Sequence, residues 1–425
     1  MDQSNLEAQT KSGTMELERV LGRADLMSMA CGQIIGAGIM ALMGVAIGYT
    51  GRSVNLAFVL SAIFTISLAV PMVFIGGTLR LRGGNYTIIA ALVGKKWGAA
   101  YVITFALSRF SLATYSISFA DYFLGLTGVN IPGVVIAAVC MTSFYILNVL
   151  GIKGAAIIQN AMVVILAAAL VIFMAFGLSR VNWNGAFGGD ADWMPGGISG
   201  FLLASATLTM ATGGATVIIN FGAEAKNPTK DMPIVIIVST LAIAVIYAIM
   251  STVAAGVLPI ASVAGKSLLL VAREILPVGF YEFFIVGGAM FALTTTLNAT
   301  LGSTTKPLLQ ACVDGWFPKK IGYVHPKYKT PVVLLTIFYI LGMFPIITNI
   351  SISQITTLSL ILNKFFSVVL CLAVLGLPKK VPEIWEKSGV HCSNAMLWLI
   401  ALIGTISTIA QWLILSWNQA AWVWI

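Results

Sequence analysis

Apolar residues along this chain gather into eleven blocks, near 26–49, 54–78, 97–121, 131–149, 155–178, 198–222, 233–258, 279–304, 331–349, 352–377 and 395–416. Charged residues, prolines and glycine-rich turns separate them. Each block is about 20 residues or longer, the length an α-helix needs to cross hydrocarbon; barrel strands would instead show short alternating segments. The pattern predicts an all-α polytopic membrane protein. The stretch 179–197, rich in Gly, Asn, Asp and Trp, divides the first five blocks from the next five. An odd number of crossings per half turns the second half over relative to the first. The last residues, 417–425, are too short to cross and hold three tryptophans, which suits an interface or the start of a twelfth span.

Two blocks are cut by glycines, the first at Gly36-Ala37-Gly38 and the sixth at Gly213-Gly214. A break removes intrahelical hydrogen bonds, and each unsatisfied backbone group in hydrocarbon costs several kcal/mol. Broken backbone therefore survives only where protein buries it or where it lines a wet cavity. Interruptions at matching places in two halves point to the substrate site of a secondary transporter. At the first break the N–H groups of the following half-helix face the gap with the positive end of its dipole, which suits a carboxylate. The alternative there is close packing of helices through small residues. At the sixth, freed carbonyls and the Thr212 hydroxyl suit an ammonium. The alternative is a helix end followed by a turn through Asn227-Pro228.

Composition narrows the class. With 59% hydrophobic and 9% charged residues, against about 25% charged in soluble domains, no water-facing surface can be built. The net charge of +9 belongs to topology rather than to nucleic acid. With the N-terminus inside, 18 of the 24 Lys and Arg fall on the cytoplasmic side and 4 outside, leaving Arg109 and Lys364 within spans. Residues 1–25 read as a cytosolic tail before an uncleaved first helix. Five cysteines without metal-type spacing read as reduced, buried residues. No G-x-x-x-x-G-K-[ST] element supports ATP-driven pumping.

Arg109 and Lys364 stand about a dozen residues into the third and tenth blocks. A charge at a helix centre costs at least roughly 2.5–3.5 kcal/mol. The acids Asp121, Glu224, Glu282 and Asp314 all lie toward span ends. Both cations are therefore expected to face an aqueous cavity, and one or both to attract a second anionic group on a substrate. The alternatives are a structural strut for Arg109 and snorkelling for Lys364.

Several short motifs recur in a familiar order: Gly32-x-Ile34-Ile35-Gly36-Ala37-Gly38-Ile39, Gly83-Gly84-Asn85-Tyr86, Asn148-x-x-Gly151-Ile152-Lys153, Glu224-x-Lys226-Asn227-Pro228, Asp314-Gly315-Trp316-Phe317-Pro318 and the run from Val324-His325-Pro326 to Pro331. Over roughly 25–380 the chain resembles the amino acid–polyamine–organocation permeases, with the five-plus-five inverted repeat of LeuT-type transporters. The resemblance implies a carboxylate site at Ile35, Gly36, Ala37 and Gly38 and an amino-group site at Ala211, Thr212, Gly213 and Gly214. It also implies a sodium site bridging spans one and eight, from the carbonyls of Gly32, Ile35 and Ala292 and the hydroxyls of Thr295 and Thr296. Five neutral oxygens suit a small hard cation, while threonines within spans also commonly bond back to their own helix. Two positions depart from relatives. Ala215 stands where many have a bulky aromatic, and Leu166 stands near where sodium-independent members often carry a lysine.

The sequence thus predicts a plasma-membrane amino acid permease working by alternating access, with repeats over 26–178 and 198–377 and a C-terminal helix and tail over 394–425. It is not read as an enzyme. It needs no organic cofactor, and its partners are a small-molecule substrate and membrane lipids. A sodium-free exchanger of neutral or cationic substrates is the second reading. A channel would need a continuous pore ring, and an embedded enzyme would need clustered His, Cys or acids at depth.

Overall fold

A computed structural model describes residues 22–79, 84–150, 155–183, 188, 192–221, 225–318, 320–328 and 330–417. The expected pieces at 1–21, Gly83, Gly151-Ile152-Lys153, Glu224 and 418–425 lie outside the described residues. All eleven apolar blocks are helical. Span 1 is split into Arg23–Ile34 and Ala37–Thr50. Span 2 is Val54–Thr78. Span 3 runs from Lys95 to Thr127 through a 3-10 turn at Ser108–Ser111. Spans 4 and 5 are Gly133–Leu150 and Ala155–Leu178. Span 6 is split into Gly197–Thr212 and the 3-10 segment Ala215–Phe221. Span 7 is Pro228–Gly256, and span 8 runs from Val278 to Val313 through a π-helical turn at Phe284–Met290. Spans 9, 10 and 11 are Val332–Ile347, Ile352–Ala373 and Asn394–Trp417.

Among the described residues, seven helical stretches are long and apolar enough to cross a bilayer. The longest, Gly38–Thr78, holds the second half of span 1 and all of span 2, joined by the turn at Gly51–Ser53. Three shorter apolar helices supply spans 5, 6 and 9. Large apolar side chains such as Ile63, Val139, Val171, Val245, Ile340 and Ile406 are more than half exposed, as lipid-facing residues must be when no hydrophobic penalty drives them inward.

Two cores share the bundle. One joins spans 1, 2, 5, 6 and 7 with the first half of span 8, and the other joins the end of span 2 with spans 3, 4, 9, 10 and 11 and the second half of span 8. Span 7 packs along span 2 and the first half of span 1, with Phe58 and Tyr247 edge-to-face at 5.4 Å between centroids. The π-helical turn presses on span 5: Phe284 stacks on Phe173 at 4.7 Å, and a Cβ on Gly287 would meet Ile165 Cγ2 at 2.7 Å. Several motifs tie helix ends together. Tyr86 donates to Asp314 Oδ2 at 2.6 Å, and Asn148 Nδ2 donates to Asn298 Oδ1 at 2.8 Å.

Candidate substrate site between two broken helices

Span 1 breaks one residue earlier than its glycine run suggests. Ile35 leaves helical geometry with ψ 72° and Gly36 is extended, while Ala37 and Gly38 already belong to the second half-helix. The Gly36 N–H donates to Ile34 O at 2.7 Å, a tight turn at the break. Span 6 ends at Thr212. Gly213 is extended and Gly214 takes φ 134°, a conformation for which only glycine carries no steric cost.

The two breaks are held against each other. A Cβ on Gly214 would lie 3.0 Å from Gln33 O and 3.3 Å from Ile34 N. A Cβ on Gly38 would lie 2.5 Å from Ala211 Cα. Gly38 and Ala211 are therefore the point where the two long half-helices touch, which is the small-residue packing alternative realised beside the break. Tyr247 of span 7 donates to Ile34 O at 2.7 Å and so caps the first half-helix. Replacing it by Phe removes one of the two donors to that buried carbonyl, the Gly36 N–H remaining, at about 0.5–1.5 kcal/mol. A Tyr247→Phe protein is expected to lose roughly that much stability and to transport less, as read by thermal unfolding and uptake.

The remaining candidates divide. Thr212 does not turn its hydroxyl to the gap; Ser61 and Thr65 of span 2 hold it at 2.8 Å each. Two polar side chains spaced one turn apart within the apolar span 2 were the available sequence signal for that contact. Arg109 does not stand free in water either. It donates to Asn363 Oδ1 at 3.3 Å and to Ser108 Oγ at 3.0 Å, and lies over the Phe105 ring at 4.3 Å. Lys364, the next residue after Asn363, points elsewhere. It is 6% exposed and donates to Gln411 Oε1 of span 11. Neutral amides replace the missing acids as partners for both cations. Lys364 also lines a cavity of about 70 Å³ beside the sixth break, together with Gly213 and Gly214.

Thr295 and Thr296 donate to the carbonyls of Phe291 and Ala292, both at 2.8 Å. Their protons are thus committed to their own helix. Thr296 Oγ1 abuts the place a Cβ on Gly36 would take, so spans 1 and 8 meet here. The donor set is neutral and all oxygen, a chemistry that fits a sodium ion. Leu166 is buried in an apolar stretch of span 5.

Farther along span 1, away from Arg23, a cavity of about 410 Å³ is lined by Met40, Tyr49, Asp121, Lys266 and Ser353 among others. Contacts cross it at its rim. Tyr49 and Ser353 share a hydrogen bond, Gly265 N–H donates to Gly44 O at 2.8 Å, and Tyr122 donates to Met40 O at 3.2 Å. At the opposite end Arg23 and Asp231 pair at 2.8 Å, joining the starts of spans 1 and 7.

Among the described residues, an apolar helical bundle whose first and sixth helices are unwound and in mutual contact defines a LeuT-type transporter. The family model described as amino acid permease matches residues 21–421, and the chain belongs to that family. It is 28% identical over 409 residues to the branched-chain amino acid permease BcaP of Bacillus subtilis (strain 168), covering 88% of this chain and 84% of the relative. It is 27% identical over 350 residues to the methylthioribose transporter of the same organism, covering 77% and 74% respectively. Among solved structures it is similar to MhsT in complex with L-phenylalanine, with TM-score 0.62, 16% identity, and 93% and 98% of the two chains covered. The protein is a multi-pass membrane transporter and not an enzyme.

Proposed function

We propose that the protein carries an amino acid or close derivative across the plasma membrane by alternating access, N-terminus inside, with inverted repeats over 26–178 and 198–377. The reading rests on one observation above all: the backbone of Gly214 lies against that of Gln33 and Ile34, so two sets of freed peptide groups share one gap. The substrate carboxylate would sit at Ile35, Gly36, Ala37 and Gly38. Its amino group would sit at the carbonyls of Ala211, Thr212, Gly213 and Gly214. The small side chain at Ala215, where many relatives carry an aromatic, supports a bulky substrate side chain, in keeping with the relative named for branched-chain amino acids. Sodium, where it binds, adds a positive charge between spans 1 and 8, held by Gly32, Ile35, Ala292, Thr295 and Thr296. Arg109 serves as a strut between spans 3 and 10. Any preference for an acidic substrate then falls to Lys364.

Saturable, counterflow-competent uptake of a labelled amino acid into proteoliposomes is the test. Uptake equal to that of empty vesicles for every amino acid would end the reading. Breaking the Arg23–Asp231 pair with Asp231→Asn removes a tie at the proposed inner end. It is expected to raise the exposure of an inner-half cysteine label while leaving the fold intact. An unchanged labelling rate would remove the pair from the gate.

A further inference from the structure

The cavity beside the sixth break holds, besides the backbone and the lysine that the substrate reading uses, polar side chains that it does not. Its volume of about 70 Å³ has room for about two waters at ~30 Å³ each, or for an ion of comparable size. Lys364 forms one wall. An ammonium carries three donors and no acceptor, and among the described residues Gln411 is its one hydrogen-bond partner. The Gln411 amide nitrogen is itself fixed on Ser407 O at 3.1 Å, which aims its carbonyl at the lysine. That carbonyl orients the charge and cannot neutralise it.

Thr240 of span 7 forms a second wall. It is 1% exposed, and its hydroxyl has no hydrogen-bond partner among the described residues. A buried hydroxyl in that condition is a donor waiting for an acceptor. Thr65 and Thr209 complete the polar lining, and Gly213 and Gly214 bring the unwound backbone to it. No lining residue is acidic. A metal cation would meet an ammonium here and find no carboxylate, whereas an anion would find a charge, a free donor and a desolvated pocket.

We infer that this cavity is a site for one small monovalent anion of halide or carboxylate size, held by Lys364 Nζ and Thr240 Oγ1 against the sixth break. Bound there, it offsets the charge of a lysine buried without an acid. It also touches the segment that the transport reading sets in motion. The inference goes beyond that reading, because a free halide would occupy the site with no amino acid present.

The test is thermal unfolding of the purified protein without amino acid, titrating sodium chloride or bromide against sodium gluconate at constant ionic strength. Wild type is expected to gain stability saturably with halide. Thr240→Val, which keeps shape and loses the donor, should weaken the apparent affinity about tenfold, the worth of one hydrogen bond to a charged group. Lys364→Met should abolish the response. Where Lys364→Met fails to fold, the wild-type and Thr240→Val titrations decide alone. A second arm uses acidic amino acids in gluconate. If they stabilise while halides do not, and Thr240→Val weakens only them, the anion is the substrate's own carboxylate and the site stands. No saturable response to either anion source, or one that Thr240→Val leaves unchanged, overturns it. Uptake is measured separately, so this failure and failure of the transport reading are distinguishable.

Discussion

Replacing Gly214 by alanine is expected to lower the initial rate of uptake at least tenfold. The φ of 134° at this position costs a side-chain-bearing residue about 1–3 kcal/mol. The added Cβ would also stand 3.0 Å from Gln33 O, 3.1 Å from Gln33 C and 3.3 Å from Ile34 N. All three are backbone atoms, so no rotamer change relieves the crowding, and overpacking of this kind costs a further 1–3 kcal/mol or so. The strain is released only by moving span 6 away from the end of the first half-helix, which opens the gap the substrate would bridge. At about 1.4 kcal/mol per tenfold, even the lower sum reaches a tenfold loss. Gly279→Ala is the control, since a Cβ there meets nothing within 4 Å. Wild-type uptake by Gly214→Ala would show that the contact between the breaks is dispensable.

Thr296→Val is expected to raise the half-saturating sodium concentration for uptake about tenfold or more. Valine keeps the shape of the side chain and removes the oxygen that abuts Gly36. Losing one interaction with a charged group is worth about 1.5–3 kcal/mol. Thr296→Ser, which keeps the oxygen, should stay close to wild type, and maximal uptake at saturating sodium should change less than the midpoint. Sodium replacement by choline gives the prior check. Wild-type uptake that is equal in both salts would remove the cation from the mechanism and leave the permease standing.

The helices were legible because lipid imposes a length on every crossing. The block expected at 54–78 is Val54–Thr78, and the one expected at 352–377 begins at Ile352. Span 8 was read short, as 279–304, because Thr304, Thr305 and Lys306 look like an exit from hydrocarbon. The helix in fact continues to Val313, its hydroxyls bonding back to their own turn. Within Gly36-Ala37-Gly38 nothing local distinguishes a residue that unwinds from one that lets helices touch. Gly36 does the first and Gly38 the second only because Thr296 and Ala211 lie opposite them. Partners distant in sequence explain the other shortfalls. Asn363 and Gln411 take the two cations within spans, and Ser61 and Thr65 take Thr212. A glutamine within the apolar span 11 was the available hint, since polar side chains at depth in a membrane rarely go unused.

The π-helical turn at Phe284–Met290 carries a consequence for how this protein can change over time. It fits one residue more into its turn than an α-helix would, and each residue of an α-helix advances the azimuth by about 100°. The wide turn takes up that surplus locally, so everything downstream, including Thr295 and Thr296, keeps its compass bearing. Losing a single codon at Gly287 would let the turn close to α-helical geometry and leave the Thr296 hydroxyl facing Gly36, with the span's hydropathy nearly untouched. A lineage could thereby shed the extra residue, and its pressure on span 5, with every candidate ligand still in place.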